Sequence, residues 1–325
     1  MKKTSPRRAV ACILLAAILL LMSACTQTQD TQLEKTANYL QTQISEPTFS
    51  SIGGEWLVFG LARSDVKVSE RYYEAYYKNT ESYVREKNGV LHDKKYTEYS
   101  RLVLALTAIG KDPADVAGYN MLQPLGDFQA VTQQGINGAI FALLALDSGG
   151  YEMPANPDAQ VQATRQMYVD ELLRRELDSG GWALTGDAPD VDITAMTLQA
   201  LAKYQDQVAV AEAVSRGLEV LSALQAADGG YSSWGTSNSE SVSQVIVALT
   251  ELGIPMDDPR FVKNNTTLED VLLRFAQEDG GFYHVLDSGV GDDLMATEQA
   301  FYALVSIERM QEGKTTLYDM TDVIS

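Results

Sequence analysis

Asp178-Ser179-Gly180-Gly181-Trp182, Asp228-Gly229-Gly230-Tyr231 and Asp279-Gly280-Gly281-Phe282 repeat one short phrase: an acid, two glycines and an aromatic ring. They begin 50 and 51 residues apart, and Asp147-Ser148-Gly149-Gly150-Tyr151 precedes them. A period near fifty marks a repeat architecture, in which each unit is one supersecondary element. Each phrase is expected a short step before an apolar helix. The paired glycines permit the positive φ that a chain reversal after an outer helix needs and a Cβ resists. The Asp in front can accept backbone N–H groups inside the turn. The phrase therefore reads as architecture before chemistry.

Working outward, six apolar segments share a small residue followed by Leu. They lie at 55–61, 99–106, 137–143, 194–201, 243–249 and 297–304, anchored on Gly60, Ala105, Ala142, Ala200, Ala248 and Ala303. Each is apolar nearly all round, so as a helix it is buried on most sides. Each run is about ten residues, half of what a membrane span requires. Between them lie more polar stretches at 32–44, 70–87, 113–128, 159–177, 208–226 and 267–277, of which 113–128 fits a helix least. In 208–226, Val210, Ala213, Val214, Leu218 and Leu221 recur at three- and four-residue steps, the helical period. Polar helix, glycine turn and buried helix form one unit. Six units predict an all-α fold, an (α/α)6 toroid of six helical hairpins with inner buried and outer amphipathic helices. One hairpin cannot cover its own apolar face, and a closed stack supplies the missing wall.

The first residues read as an address. Lys2, Lys3, Arg7 and Arg8 precede an apolar run from Ala9 to Met22, and Met22-Ser23-Ala24-Cys25 has the form of a bacterial lipobox. Residues 1–24 are thus expected to be a lipoprotein signal peptide, with 25–31 an acylated Cys25 and its polar tether. An ordinary secretory signal is the alternative. The toroid is expected over 32–310, with 311–325 as a C-terminal tail that ends the chain without a second domain. The expected location is the outer face of a bacterial cytoplasmic membrane, reached through the lipid alone. The two cysteines, Cys12 and Cys25, both fall in or at the end of the leader. The folded part therefore holds no disulfide and no thiolate metal site. The leader carries four of the 25 basic residues and none of the 44 acidic ones, which leaves a mature net charge near −23. Such a charge argues against nucleic acid as a partner.

Gln225-Ala226-Ala227-Asp228-Gly229-Gly230-Tyr231-Ser232-Ser233-Trp234 resembles the Gln…Gly…Trp repeat of triterpene cyclases. With the other repeats it places residues 35–310 in the likeness of the prenyltransferase and squalene-cyclase repeat superfamily. The stretches 135–142 and 295–303 also resemble exported bacterial toroids and the toroid half of animal cobalamin-transport proteins. The resemblance implies a terpenoid cyclase/protein prenyltransferase-like fold. The zinc site of protein prenyltransferases needs a Cys that the folded part lacks, and so does the thioester of complement-like toroids. Asp190-Val191-Asp192-Ile193-Thr194-Ala195 resembles the Asp-Xaa-Asp-Asp-Thr-Ala acid motif of class II terpene cyclases, with Ile193 in place of the third acid. That likeness would make Asp192 the proton donor, with Asp190 supporting it. The bland alternative is that Asp190 and Asp192 cap the start of the fourth inner helix. Glu240 stands eight residues before Ala248 as Asp192 stands eight before Ala200, so an acidic helix start recurs without catalysis.

Parallel inner helices bring their N-termini to one mouth, where a ligand is expected. The polar candidates there are Asp190, Asp192, Thr194, Glu240, Gln244 and Glu298. Glu55, Glu98, Arg101, Asn137, Ser243 and Gln299 share the same end. Trp182 and Trp234, with Tyr231, Phe282 and Tyr283, would either add aromatic walls or lock the turns. His284 with Asp287, Asp292 and Asp293 invites a metal, but one histidine among scattered acids in a Gly-rich loop is more simply a solvated loop, as is His92. No metal and no cofactor are therefore expected. The leading expectation is a binding protein without catalysis, taking a corrinoid, another small molecule or a surface protein. The alternatives are a terpene-cyclase-like enzyme using Asp192 and a structural surface adaptor.

Overall fold

The computed structural model describes residues 30–286 and 293–324. The leader with Cys25, and the segment holding Asp287 and Asp292, lie outside the described residues. Gln32–Ser325 forms one compact unit. Its helices in chain order are α1 (Gln32–Gln43), α2 (Trp56–Arg63), α3 (Glu70–Glu86), α4 (Thr97–Ala108), α5 (Phe128–Thr132) and α6 (Ile136–Ser148). They continue as α7 (Arg165–Arg174), α8 (Val191–Leu201), α9 (Val208–Leu224), α10 (Ser239–Glu251), α11 (Leu268–Leu273) and α12 (Leu294–Gln311). A two-stranded hairpin, β1 (Ser232–Ser233) and β2 (Thr236–Ser237), rises between α9 and α10.

The even-numbered helices are the six apolar segments. Each touches the even helix before and after it, and α12 touches α2, so the inner wall closes into an α/α toroid. The small anchor residues make that closeness possible. A Cβ on Gly60 would stand 3.0 Å from the Phe301 ring, at the seam where α12 meets α2. The first glycine of each regular turn serves the outer layer in the same way. A Cβ on Gly180 would sit 3.3 Å from Val220 of α9, and one on Gly229 would sit 2.9 Å from Val271 of α11. At Gly280 it would lie 2.5 Å from the Lys35 carbonyl of α1, so the last turn seats the first helix and closes the outer layer. The acids act inside the turns as expected: Asp228 Oδ1 accepts from Gly230 N at 2.9 Å and Asp279 Oδ1 from Gly281 N at 3.1 Å.

Three expectations need correction. Asp147-Ser148-Gly149-Gly150-Tyr151 does not precede an inner helix; it ends one, with Asp147 in the last turn of α6. Its acid is held instead by Arg165 Nε at 2.7 Å and Tyr204 OH at 2.6 Å. Residues 113–128 form no outer helix. Pro113, Gly118, Pro124 and Gly126 break the run, Ala117 and Gly118 take φ of 54° and 88°, and a 3-10 turn (Gln123–Gly126) leads into the single short helix α5. The fourth and sixth outer helices are shorter than their polar stretches: Thr164 caps the fourth from inside its stretch, and the sixth, capped at Thr267, ends early at Leu273.

The segment after α12 packs across the C-terminal ends of the inner helices. Leu317, Tyr318 and Met320 are buried. Met320 N donates to Ser148 O of α6 at 2.8 Å, and Glu251 of α10 accepts from Tyr318 N and Thr316 Oγ1. Arg63 of α2 and Arg309 of α12 supply the remaining donors.

Candidate functional site

The N-terminal ends of α8, α10 and α12 repeat one construction. Asp190, Asn238 and Asp293 are the N-caps, and each accepts a backbone N–H of the first turn. The backbone N–H of each cap reaches back to the aromatic residue of the preceding glycine turn: Asp190 N to Trp182 O at 2.8 Å, Asn238 N to Tyr231 O at 3.3 Å, Asp293 N to Phe282 O at 3.0 Å. Thr194 and Thr297 complete the lock by accepting from Trp182 N and Phe282 N. Trp182 is fully buried, with Nε1 donating to Leu172 O at 2.7 Å. Trp182, Tyr231, Phe282 and Thr194 thus stand behind the wall and fix the angle at which each inner helix enters.

The residue two places after the cap is the one that faces the opening. Asp192 on α8 and Glu240 on α10 occupy this position, and Met295 takes it on α12. Three compartments join there. The first, about 370 Å³, is bordered by Leu184, Pro189, Asp190, Asp192, Met196 and Trp234. The second, about 380 Å³, shares Asp192, Met196 and Trp234 and adds Glu240, Gln244 and His284. The third, about 130 Å³, runs deeper between Trp56, Phe141, Met196, Glu298, Tyr302 and Tyr318. Met196 borders all three. Together they make a funnel with an acidic, partly apolar rim and an aromatic floor, and the buried Tyr318 of the C-terminal segment is part of that floor.

Asp190 and Asp192 have separate tasks. Asp190 Oδ1 accepts from Asp192 N and Ile193 N, both at 3.0 Å, and its Oδ2 accepts from Ser233 Oγ at 2.8 Å. It is the cap. Asp192 Oδ1 is shut off from solvent and makes no hydrogen bond of ordinary geometry, while the Ser241 and Ser233 hydroxyls beside the carboxyl favour its charged form. Burial pushes the Asp192 carboxyl up to about 6, and the charges of Asp190 and Glu240 add to the shift. Glu298, 2 % exposed, accepts from Gly53 N at 2.7 Å. Burial raises it to about 8, and the charges of Glu55 and Asp293 push the same way. Glu55 is fully buried, bonded to Arg101 Nε at 2.8 Å and Tyr76 OH at 3.1 Å. Desolvation outweighs Arg101 there and holds its carboxyl at about 7.

Gln244 ties the second compartment to the third by donating to Gln299 Oε1 at 2.9 Å and Tyr302 OH at 2.7 Å. Glu98, Arg101, Asn137 and Ser243 do not border the funnel; Ser243 Oγ turns back to Ser239 O. His284 stands with its Nδ1 2.8 Å from both Glu240 carboxylate oxygens. Among the described residues no group of three or more His, Asp or Glu is placed to hold a metal ion. The floor residues were not legible as site residues: Trp56 and Tyr302 lie inside apolar runs and look like core, and Tyr318 lies in the C-terminal tail, far in sequence from the helix starts. Trp234 is the opposite case. It sits at the hairpin tip, 83 % exposed, with φ of 50°.

Comparison with known proteins gives the same architecture. The family described as squalene-hopene cyclase C-terminal domain matches residues 159–280, the stretch that carries Asp192, Trp234 and Glu240. Among solved structures, the chain is similar to an unsaturated glucuronyl hydrolase from Bacillus sp. GL1, described as responsible for degradation of glycosaminoglycan. The identity is 15 %, with 89 % of this chain and 97 % of that one covered and a TM-score of 0.55. It is also similar to a type II terpene cyclase from Scytonema, at 12 % identity, 86 % and 99 % coverage and a TM-score of 0.53. These likenesses show the fold. No curated protein sequence matches the chain.

Proposed function

We propose that this toroid is a binding protein whose site is the funnel at the N-terminal mouth of its inner helices, and that it holds a small organic ligand there without transforming it. The observation that carries the reading is the junction at Met196. A polar rim bearing Asp192, Glu240 and His284 opens there onto an apolar first compartment and an aromatic floor. Concave, mostly apolar pockets of a few hundred Å³ with a few convergent polar groups are where proteins take small molecules. The wall is preorganised, because caps and turn aromatics hold each inner helix end before any ligand arrives. Met196→Trp fills the junction from the middle of a helix face without touching a glycine turn. Nile red, an uncharged fluorescent probe, is expected to bind the protein saturably and Met196→Trp at least tenfold more weakly, with unchanged helical circular dichroism. Equal binding by both would overturn the reading.

A second reading rests on Asp192. A carboxyl raised toward neutrality by burial at the border of a cavity has the character of a general acid. Its test is product formation from linear isoprenoids by the protein and not by Asp192→Asn. Equal or absent product in both would end it.

A further inference from the structure

We propose that the funnel selects an organic cation, with an ammonium group held between Asp192 and Glu240 and an apolar body laid against Trp234 and Met196. This rests on the funnel being the binding site and names the chemistry it accepts.

The charge of the lining is the first argument. Among the described residues, no Lys or Arg borders any of the three compartments. The charged side chains there are Asp190, Asp192, Glu240 and Glu298, with a histidine that Glu240 already engages. Arg101, at the same end of the ring, is committed to Glu55. An anion entering this space would meet several carboxylates of its own sign. A cation would relieve their mutual repulsion.

Second, Asp190 spends its acceptors on the helix start and Ser233, whereas Asp192, with the Ser241 and Ser233 hydroxyls beside it, is the carboxyl that borders both upper compartments. The third is the aromatic platform. Trp234 is a bulky residue held at φ of 50° beside Gly235 at 80°, and it presents its ring over both upper compartments. Leu184 and Leu224 lie exposed along the same wall. An aromatic ring so exposed at a cavity mouth, kept in a conformation such residues avoid, is suited to stacking on the apolar part of a ligand.

Proton linkage adds a signature. Asp192 faces Asp190 of its own helix start and Glu240 of α10, which His284 engages; Glu298 faces Glu55, Asp293 and the Gly53 amide. Both carboxyls hold protons more tightly than usual, so a bound cation expels protons and its affinity rises with pH between about 5.5 and 7.5.

Three near-isosteric probes test the idea by calorimetry: phenethylammonium, 2-phenylethanol and phenylacetate. The ammonium is expected to bind saturably and at least tenfold more tightly than the alcohol, with the carboxylate weakest. Asp192→Asn and Glu240→Gln are each expected to weaken the ammonium about tenfold and leave the alcohol unchanged, which also shows that the variants are folded. Alcohol or carboxylate binding as tightly as the ammonium would overturn the charge selection while leaving the funnel as a site. An ammonium affinity unaffected by either substitution, or no saturable ammonium binding, would overturn it as well. The funnel reading itself then stands or falls on the Nile red result.

Discussion

Replacing Arg63 by Met is expected to cost about 3–5 kcal/mol of unfolding free energy, the range for breaking a buried charge network by removing one partner. Arg63 is 2 % exposed at the C-terminal end of α2. Its Nε donates to Leu317 O at 3.0 Å, and its Nη2 donates to Thr316 O at 2.9 Å and Asp319 O at 2.8 Å. Nη1 meets Asp322 Oδ1 at 2.9 Å. One guanidinium thus satisfies three carbonyls of the C-terminal segment, and each would be left without that donor in the variant. Arg309 cannot take over. Its own donors are spent on Thr315 O, the Arg63 carbonyl and Asp322 Oδ2. The planar fork matters as much as the charge, so Arg63→Lys is expected to recover less than half of the loss. The loss corresponds to a fall in Tm of about 5–8 °C for a chain of this size. Because Tyr318 stacks on Phe59, with ring centroids 5.4 Å apart, and floors the deep compartment, the same variant should also loosen Nile red binding. Urea titration decides the matter, and a loss under about 1 kcal/mol would show that the clamp adds little beyond surface pairing.

The clamp also shows where sequence reasoning ends. Arg63 sits directly after an apolar run and looks like a residue marking a helix end at the surface. Its partners lie some 250 positions away, and nothing local announces them. The ring itself was legible, because the glycine turns and the small-residue anchors repeat with a period that only a stacked architecture explains. So was Asp190 as a cap, since an acid just before an apolar helix has an immediate local use. Asp192 was legible as a candidate and not as the carboxyl that borders both upper compartments, because caps and site residues share the same helix start. Trp182 and Trp234 look alike in sequence, each a tryptophan near a Gly-Gly turn. The difference is the hairpin of β1 and β2, which carries Trp234 outward, whereas Trp182 follows Gly181 directly and turns into the core. Residues 113–128 failed as a helix for a visible reason: two prolines and two glycines outweigh a weak amphipathic pattern.

Stability is expected to fall as pH rises from about 5 to about 8.5, by an amount on the order of a few kcal/mol. Among the described residues, four carboxyls are raised furthest, chiefly by burial: Asp192 to about 6, Glu55 and Glu251 to about 7, and Glu298 to about 8. In the unfolded chain all four titrate near their ordinary values, close to 4. Between those values and the folded ones, the native state holds protons that the unfolded state has released. The folded state binds more protons, so the stability that neutral carboxyls contribute is full below about pH 4 and is lost as pH climbs through 6, 7 and 8. This is the reverse of ordinary acid denaturation, in which salt-bridged carboxylates lose stability on protonation. Glu298 has the highest value and carries the largest single share. Glu298→Gln keeps the acceptor for Gly53 N in a side chain that never ionises. It is expected to match the parent protein at pH 5.5 and to exceed it by about 3 kcal/mol at pH 8.5. Urea midpoints at the two pH values give the answer directly. A parent protein equally stable at both, or a Glu298→Gln variant with the parent's full slope, would mean that the buried carboxyls are hydrated in solution and that the floor of the funnel is open to water.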